Sequence, residues 1–193
     1  MKKVKWGRWV LLYFLAAACT QEQASTKKFF DFDGLIDDQI SELGQNGRVL
    51  EKTSSMAHEH LDSTFLPSAK GWESELEIFR DLEMSNKPAY RNAYRMDDLL
   101  KDPKSNLKIR QYTSTEAPLH MLRFYYQNEF SRLRKIEASI TEKNYLYTTS
   151  RILVMEFEED EGKSQLIRYS MNGFQKMAFS DTVRFSVEGQ LDW

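Results

Sequence analysis

The chain has 193 residues, with 27 Lys and Arg against 29 Asp and Glu, a net charge of −2. That balance argues against a nucleic-acid binder, which needs an excess of positive charge. A single cysteine excludes an internal disulfide framework, and 13% aromatic content with only 8 Gly and 4 Pro excludes a disordered tail.

Residues 1–19 open the chain as MKKVKWGRWVLLYFLAAAC. Lys2, Lys3, Lys5 and Arg8 precede an apolar run from Trp9 to Ala18. A spanning helix needs about 20 apolar residues, so this run is too short for one. A basic start, a short apolar stretch and small residues before a cut site make an export signal. The segment Leu15-Ala16-Ala17-Ala18-Cys19 resembles the lipobox of bacterial lipoproteins. The resemblance implies cleavage after residue 18 and acylation of Cys19, which becomes the lipid attachment site. Thr20 stands where an Asp would retain such a protein at the inner membrane, which implies transfer to the outer membrane of the envelope. The signal carries four of the basic residues and no acid, which leaves 23 basic against 29 acidic, a net −6. The expected organisation is a signal at 1–18, the lipidated Cys19 with a tether through 28, and a single domain over 29–193.

Residues Thr20 to Thr26 are small and polar and read as that tether. Phe29 to Leu43 has helical spacing: Phe32, Leu35, Ile36, Ile40 and Leu43 share a face. Asp31 is the expected N-cap and Gly44 the expected stop. Arg48–Thr53 and Met56–Asp62 are expected as a pair of short strands. Ser68 then caps a second helix, whose Trp72, Leu76, Phe79 and Leu82 form a stripe that ends near Pro88.

From Ala89 onward the period changes to two. The expected strands are Tyr90–Met96, Leu107–Thr113, Leu119–Gln127, Phe130–Thr141, Tyr145–Phe157, Lys163–Met171, Phe174–Phe179 and Thr182–Glu188. Asn172-Gly173 is the strongest hairpin signal among the links. The acidic run Glu158–Glu161 with Gly162 reads as a hairpin tip. Consecutive Ile152, Leu153, Val154 and Met155 suggest burial on both faces. Short links force antiparallel neighbours. The fold class is therefore α+β: a curved, mostly antiparallel, meandering sheet of about 8–10 strands with two amphipathic helices packed on one face.

Few constellations point to chemistry. His58, His60 and Asp62 alternate as strand residues do and could face one side as zinc ligands, but exposed polar residues on an edge strand explain the same letters, and no metal site is assigned. Asp31 and Asp33 look like a calcium-loop fragment; helix capping is the reading adopted. Arg123-Phe124-Tyr125-Tyr126 and Arg132-Leu133-Arg134-Lys135 mix cations with aromatics, as an acidic polymer or a sugar would require, or as a sheet with aromatics inward and cations outward would. No nucleophile elbow or phosphate loop is present, so no catalytic residue or cofactor is assigned and an enzyme is the weaker reading.

The layout of an N-terminal helix, a curved antiparallel sheet and a helix inserted between strands is similar to the half-barrel of lipoprotein carriers and receptors. That resemblance implies an apolar hollow, which the Trp72/Leu76/Phe79 and Phe32/Ile36/Ile40 faces line or plug. The expected function is a lipid-anchored, non-enzymatic binding or scaffold domain of a bacterial envelope, with the membrane and an apolar ligand or an envelope protein as partners. An interaction module for a protein or polymer is the alternative, and a hydrolase the one after it.

Overall fold

Runs rich in Val, Ile, Thr, Tyr and Phe, separated by short polar links, leave the chain little choice but to fold back on itself strand by strand. The computed structural model describes residues 29–192. The signal, Cys19 and the tether lie outside the described residues, as does Trp193. The strands are β1 (Leu50–Met56), β2 (Glu59–Phe65), β3 (Arg95–Lys101), β4 (Lys108–Thr113), β5 (Leu119–Tyr126), β6 (Leu133–Lys143), β7 (Tyr147–Asp160), β8 (Lys163–Met177) and β9 (Thr182–Leu191). They form one open nine-stranded sheet in the order β2-β1-β9-β8-β7-β6-β5-β4-β3. Every neighbouring pair is antiparallel. Strands β3 to β9 are a sequential meander. The first hairpin does not continue it but lies along the last strand, with Leu50 opposite Leu191 and Met56 opposite Phe185.

Helix α1 (Phe32–Asn46) starts where expected, because the Asp31 side chain accepts from Gly34 N at 3.0 Å. It runs through Gly44 and stops three residues later, at Gly47, which takes the left-handed φ of 59° that glycine tolerates. Ser68 caps α2 (Ala69–Leu76) by accepting from Gly71 N. The expected second helix keeps its extent but not its type, since Glu77–Asn86 winds as a tighter 3-10 segment.

The strand expected at Tyr90–Met96 instead begins at Arg95, because Pro88–Tyr90 form a short 3-10 turn with proline at its first position. The two strands expected on either side of Asn172-Gly173 are a single strand, β8. Gly173 has no positive φ. A Cβ there would meet the Ser150 carbonyl and come within 2.8 Å of the Phe185 ring. The glycine serves close packing, not a reversal. The acidic run also shifts: Glu158–Asp160 remain in β7, and the turn is only Glu161 and Gly162, both with positive φ.

One buried cluster joins Phe32, Ile36 and Leu43 of α1 and Trp72, Leu76, Phe79 and Leu82 of the second helical stretch to the sheet. The sheet contributes Leu122, Phe124, Ile136, Ala138, Ile140, Leu153, Met155 and Tyr169. Trp72, Leu76 and Phe79 are wholly buried, and each such side chain contributes roughly 1.5–3 kcal/mol. Burial of the Ile152–Met155 run on both faces is not what the structure shows. Leu153 and Met155 enter the core, while Ile152 is 45% exposed.

Candidate functional site: an apolar groove beside the helices

Pairing register places side chains in rows across the sheet, and alternate rows share a side. One such row is Leu153–Met171–Val187–Ser54–Leu61 across β7, β8, β9, β1 and β2. The next on that side is Arg151–Gly173–Phe185–Met56–Glu59, followed by Thr149–Gln175–Val183. Leu153 lies in the core and Met171 and Val187 pack at its edge, while Leu61 and Met56 farther along these rows are exposed. Ile78 of the 3-10 segment forms the facing wall. The result is an open groove of about 520 Å³ with Met56, Leu61, Met171, Phe185 and Val187 in its lining. Its apolar content is written plainly in exposure: Met56 is 59% and Leu61 65% exposed. Gly173 shapes the floor, since the Phe185 ring lies where its side chain would be.

One polar clasp lies in the groove wall and a second lies farther along the sheet, toward α2. Arg151, only 18% exposed, donates to Asp81 at 2.7 Å and lies 3.5 Å from Glu142, so its charge is matched. Its Nε is buried without a hydrogen-bond partner among the described residues. Toward α2, the row Met155–Tyr169–Gly189–Lys52 carries the second clasp. Glu75 accepts from Lys52 Nζ at 2.7 Å and from the Tyr169 hydroxyl at 2.7 Å. Burial, reinforced by that hydrogen bond, pushes the Tyr169 hydroxyl far above the ordinary tyrosine range. Gly189 makes room for it, because any Cβ there would collide with the Tyr169 ring.

A larger cavity of about 620 Å³ lies along α1, but charged and polar groups such as Asp38, Gln39, Glu42 and Lys163 line much of it. Gln39 is buried there and already committed, donating to Ser164 O and accepting from Leu166 N. Lys163 pairs with Glu42 at 3.1 Å. The smaller groove is the better apolar site.

Of the residues singled out from sequence as chemistry-bearing, His60 lies in the groove lining and the others lie outside it. His58 sits in the turn of the first hairpin, while His60 and Asp62 stand on β2, 3.3 Å apart. Asp62 also accepts from the Thr53 hydroxyl. Among the described residues, no group of three His, Cys, Asp or Glu could hold a metal ion. Asp31 acts as a cap, and Asp33 lies 3.7 Å from Arg80. Phe124 is core. Tyr125 donates to Glu137 beneath Lys135, whose Nζ is 4.1 Å from the ring centre. Arg123 faces Glu137, and Arg132 and Arg134 face Glu159. Each of these three arginines has an acidic neighbour, which leaves little unmatched charge to attract an acidic polymer. The apolar hollow expected from the layout would be lined or plugged by Trp72, Leu76 and Phe79 and by Phe32, Ile36 and Ile40, whereas none of these lines this groove. Phe185, Val187 and Met171 signalled inward strand positions, but nothing in their spacing says that no helix covers them.

Against known proteins, the chain matches no family model and no curated protein.

Proposed function

We propose that this chain is an acyl-anchored protein of a bacterial cell envelope whose domain holds an apolar chain in the groove between Ile78 and strands β1, β2, β7, β8 and β9. Acylation at Cys19, with the membrane as partner, rests on the LAAAC segment, and the outer membrane as location on Thr20 after it. In this reading the sheet is curved and both helices pack on one face of it, filling half of the hollow and leaving the other half open. The observation that carries the binding function is the apolar groove itself, whose volume of about 520 Å³ lies in the range of small-molecule sites. Ten methylenes buried there would gain about 8 kcal/mol before the cost of ordering the ligand is subtracted. The buried charge in the wall, Arg151, is already held by Asp81 and Glu142, which suits binding better than acid–base chemistry.

The test is photolabelling. A fatty acid bearing a diazirine is illuminated on membranes that carry the full chain, and the modified peptides are mapped by mass spectrometry. Adducts on the groove lining, that is on Ile78 or strands β1, β2, β7, β8 and β9, support the reading. Adducts confined to other elements, or none above a non-illuminated control, refute it.

A further inference from the structure

The groove side of the sheet continues one step past Thr149 and Gln175 to Tyr147 and Met177, which are paired. Beyond that step the links 144–146 and 178–181 stand side by side, joined by Ala178 N donating to Leu146 O at 2.8 Å. These links carry bare apolar groups. Tyr145 and Phe179 are fully exposed, Leu146 is 68% exposed and Met177 50%. The Asn144 side chain accepts from both Leu146 N and Tyr147 N, so hydrogen bonding, and not apolar packing, sets the shape of the first link. Four large apolar side chains on adjoining hairpin ends bury little within the fold, and such patches mark contact surfaces. Their position decides what they meet. Ten residue steps lead from Cys19 to Phe29, a reach of at most about 36 Å. Phe29 packs on Tyr94 and Tyr112, beside the start of β3 and the end of β4. By the antiparallel order, that is the same end of the sheet as the two links. Charges at this end are mixed, with Arg95, Lys143, Lys176 and Arg184 against Glu59, Glu116, Glu142 and Asp181, so neither sign dominates. A strongly anionic partner therefore gains nothing from it.

We propose that Tyr145, Leu146, Met177 and Phe179 insert into the headgroup layer of a zwitterionic phospholipid bilayer, so that the groove opens onto the membrane. The inference rests on acylation of Cys19, which supplies the first attachment; the hairpin ends supply the second and set the orientation. Aromatic side chains suit that depth, with an apolar ring below and, for Tyr145, a hydroxyl at the water side.

The full chain, purified in detergent and returned to phosphatidylcholine vesicles, tests this with tryptophan at chosen positions. Tyr145→Trp and Phe179→Trp should be quenched at least about twofold by lipid brominated near the headgroup, with blue-shifted emission and little change in high salt. Asp160→Trp, at the opposite end of the sheet, should not be quenched once native tryptophan signal is subtracted. Quenching at 145 and 179 no greater than at 160 overturns the inference, as does a photocrosslinker at 145 that joins two copies of the chain instead of lipid. Intact mass reads Cys19 acylation and the diazirine label reads the groove. An acylated, groove-labelled chain with unquenched hairpin ends therefore defeats this inference alone.

Discussion

The Tyr169 hydroxyl offers a perturbation whose size and pH dependence both follow from its surroundings. It is 2% exposed as a residue and donates to Glu75 at 2.7 Å, while Glu75 retains Lys52. Tyr169→Phe removes one hydrogen bond to a charged acceptor and leaves no orphan donor, so the expected loss is about 1.5 kcal/mol, the low end for such bonds. In a domain of this length that lowers Tm by about 3–6 °C. Glu75→Leu should cost more, about 3 kcal/mol, because it strands both the hydroxyl and the Lys52 ammonium. The sign with pH follows from linkage. A tyrosine held above its unfolded value contributes stability that is complete below about pH 10 and is lost as pH rises toward the folded value. The difference between wild type and Tyr169→Phe should therefore close by roughly 1.4 kcal/mol per pH unit above 10. Urea titrations of the chain without residues 1–19, followed by tryptophan fluorescence at pH 7, 9, 10 and 11, measure this. Equal midpoints at pH 7 would refute the assignment of that hydrogen bond, and a gap that stays constant to pH 11 would refute the burial-driven rise of the Tyr169 hydroxyl.

Other substitutions probe separate parts of the account. Asp31→Ala should lower stability by about 1 kcal/mol through loss of the α1 cap, read as a shift in the urea midpoint. Gly189→Ala should cost about 1–3 kcal/mol, because the new methyl pushes the Tyr169 ring off its seat; near-UV circular dichroism should register the displaced ring. Asp98 is held below the ordinary carboxylate range, first by the hydrogen bond from Arg110. Its contribution is present above that range and lost as pH falls through the folded value, so Asp98→Asn should differ from wild type at pH 7 and match it in strong acid. Replacing Cys19 by Ser should release the exported domain from membranes on fractionation; full retention would show that acylation is not the attachment.

Local signals in the sequence were read well where a single residue settles the geometry. Asp31 and Ser68 cap the helices because each carboxylate or hydroxyl reaches a free N–H one turn away. Alternation in 107–127 located β4 and β5 to within a residue or two. Failures came where distant contacts overrule local preference. Asn172-Gly173 suits a hairpin in isolation, yet Phe185 and Ser150 press on Gly173 from both neighbouring strands and hold it within β8. The pairing of β1 with β9 joins residues more than a hundred positions apart, and no short window contains it. The groove was illegible for the same reason. Met171, Phe185 and Val187 look like core letters, and only the pairing of β1 with β9 shows that they stand at the margin of the core, half-buried beside Ile78.

Native mass spectrometry of the full chain, released gently from membranes of the cells that make it, bears most directly on whether the groove carries an apolar chain. The wild type should hold one lipid or fatty acid beyond any acyl groups on Cys19, and a variant with the exposed groove residues Met56 and Leu61 both changed to Trp should fly without it at a nearly unchanged urea midpoint. A wild type that carries no such adduct, or a filled variant that keeps it, would contradict the assignment.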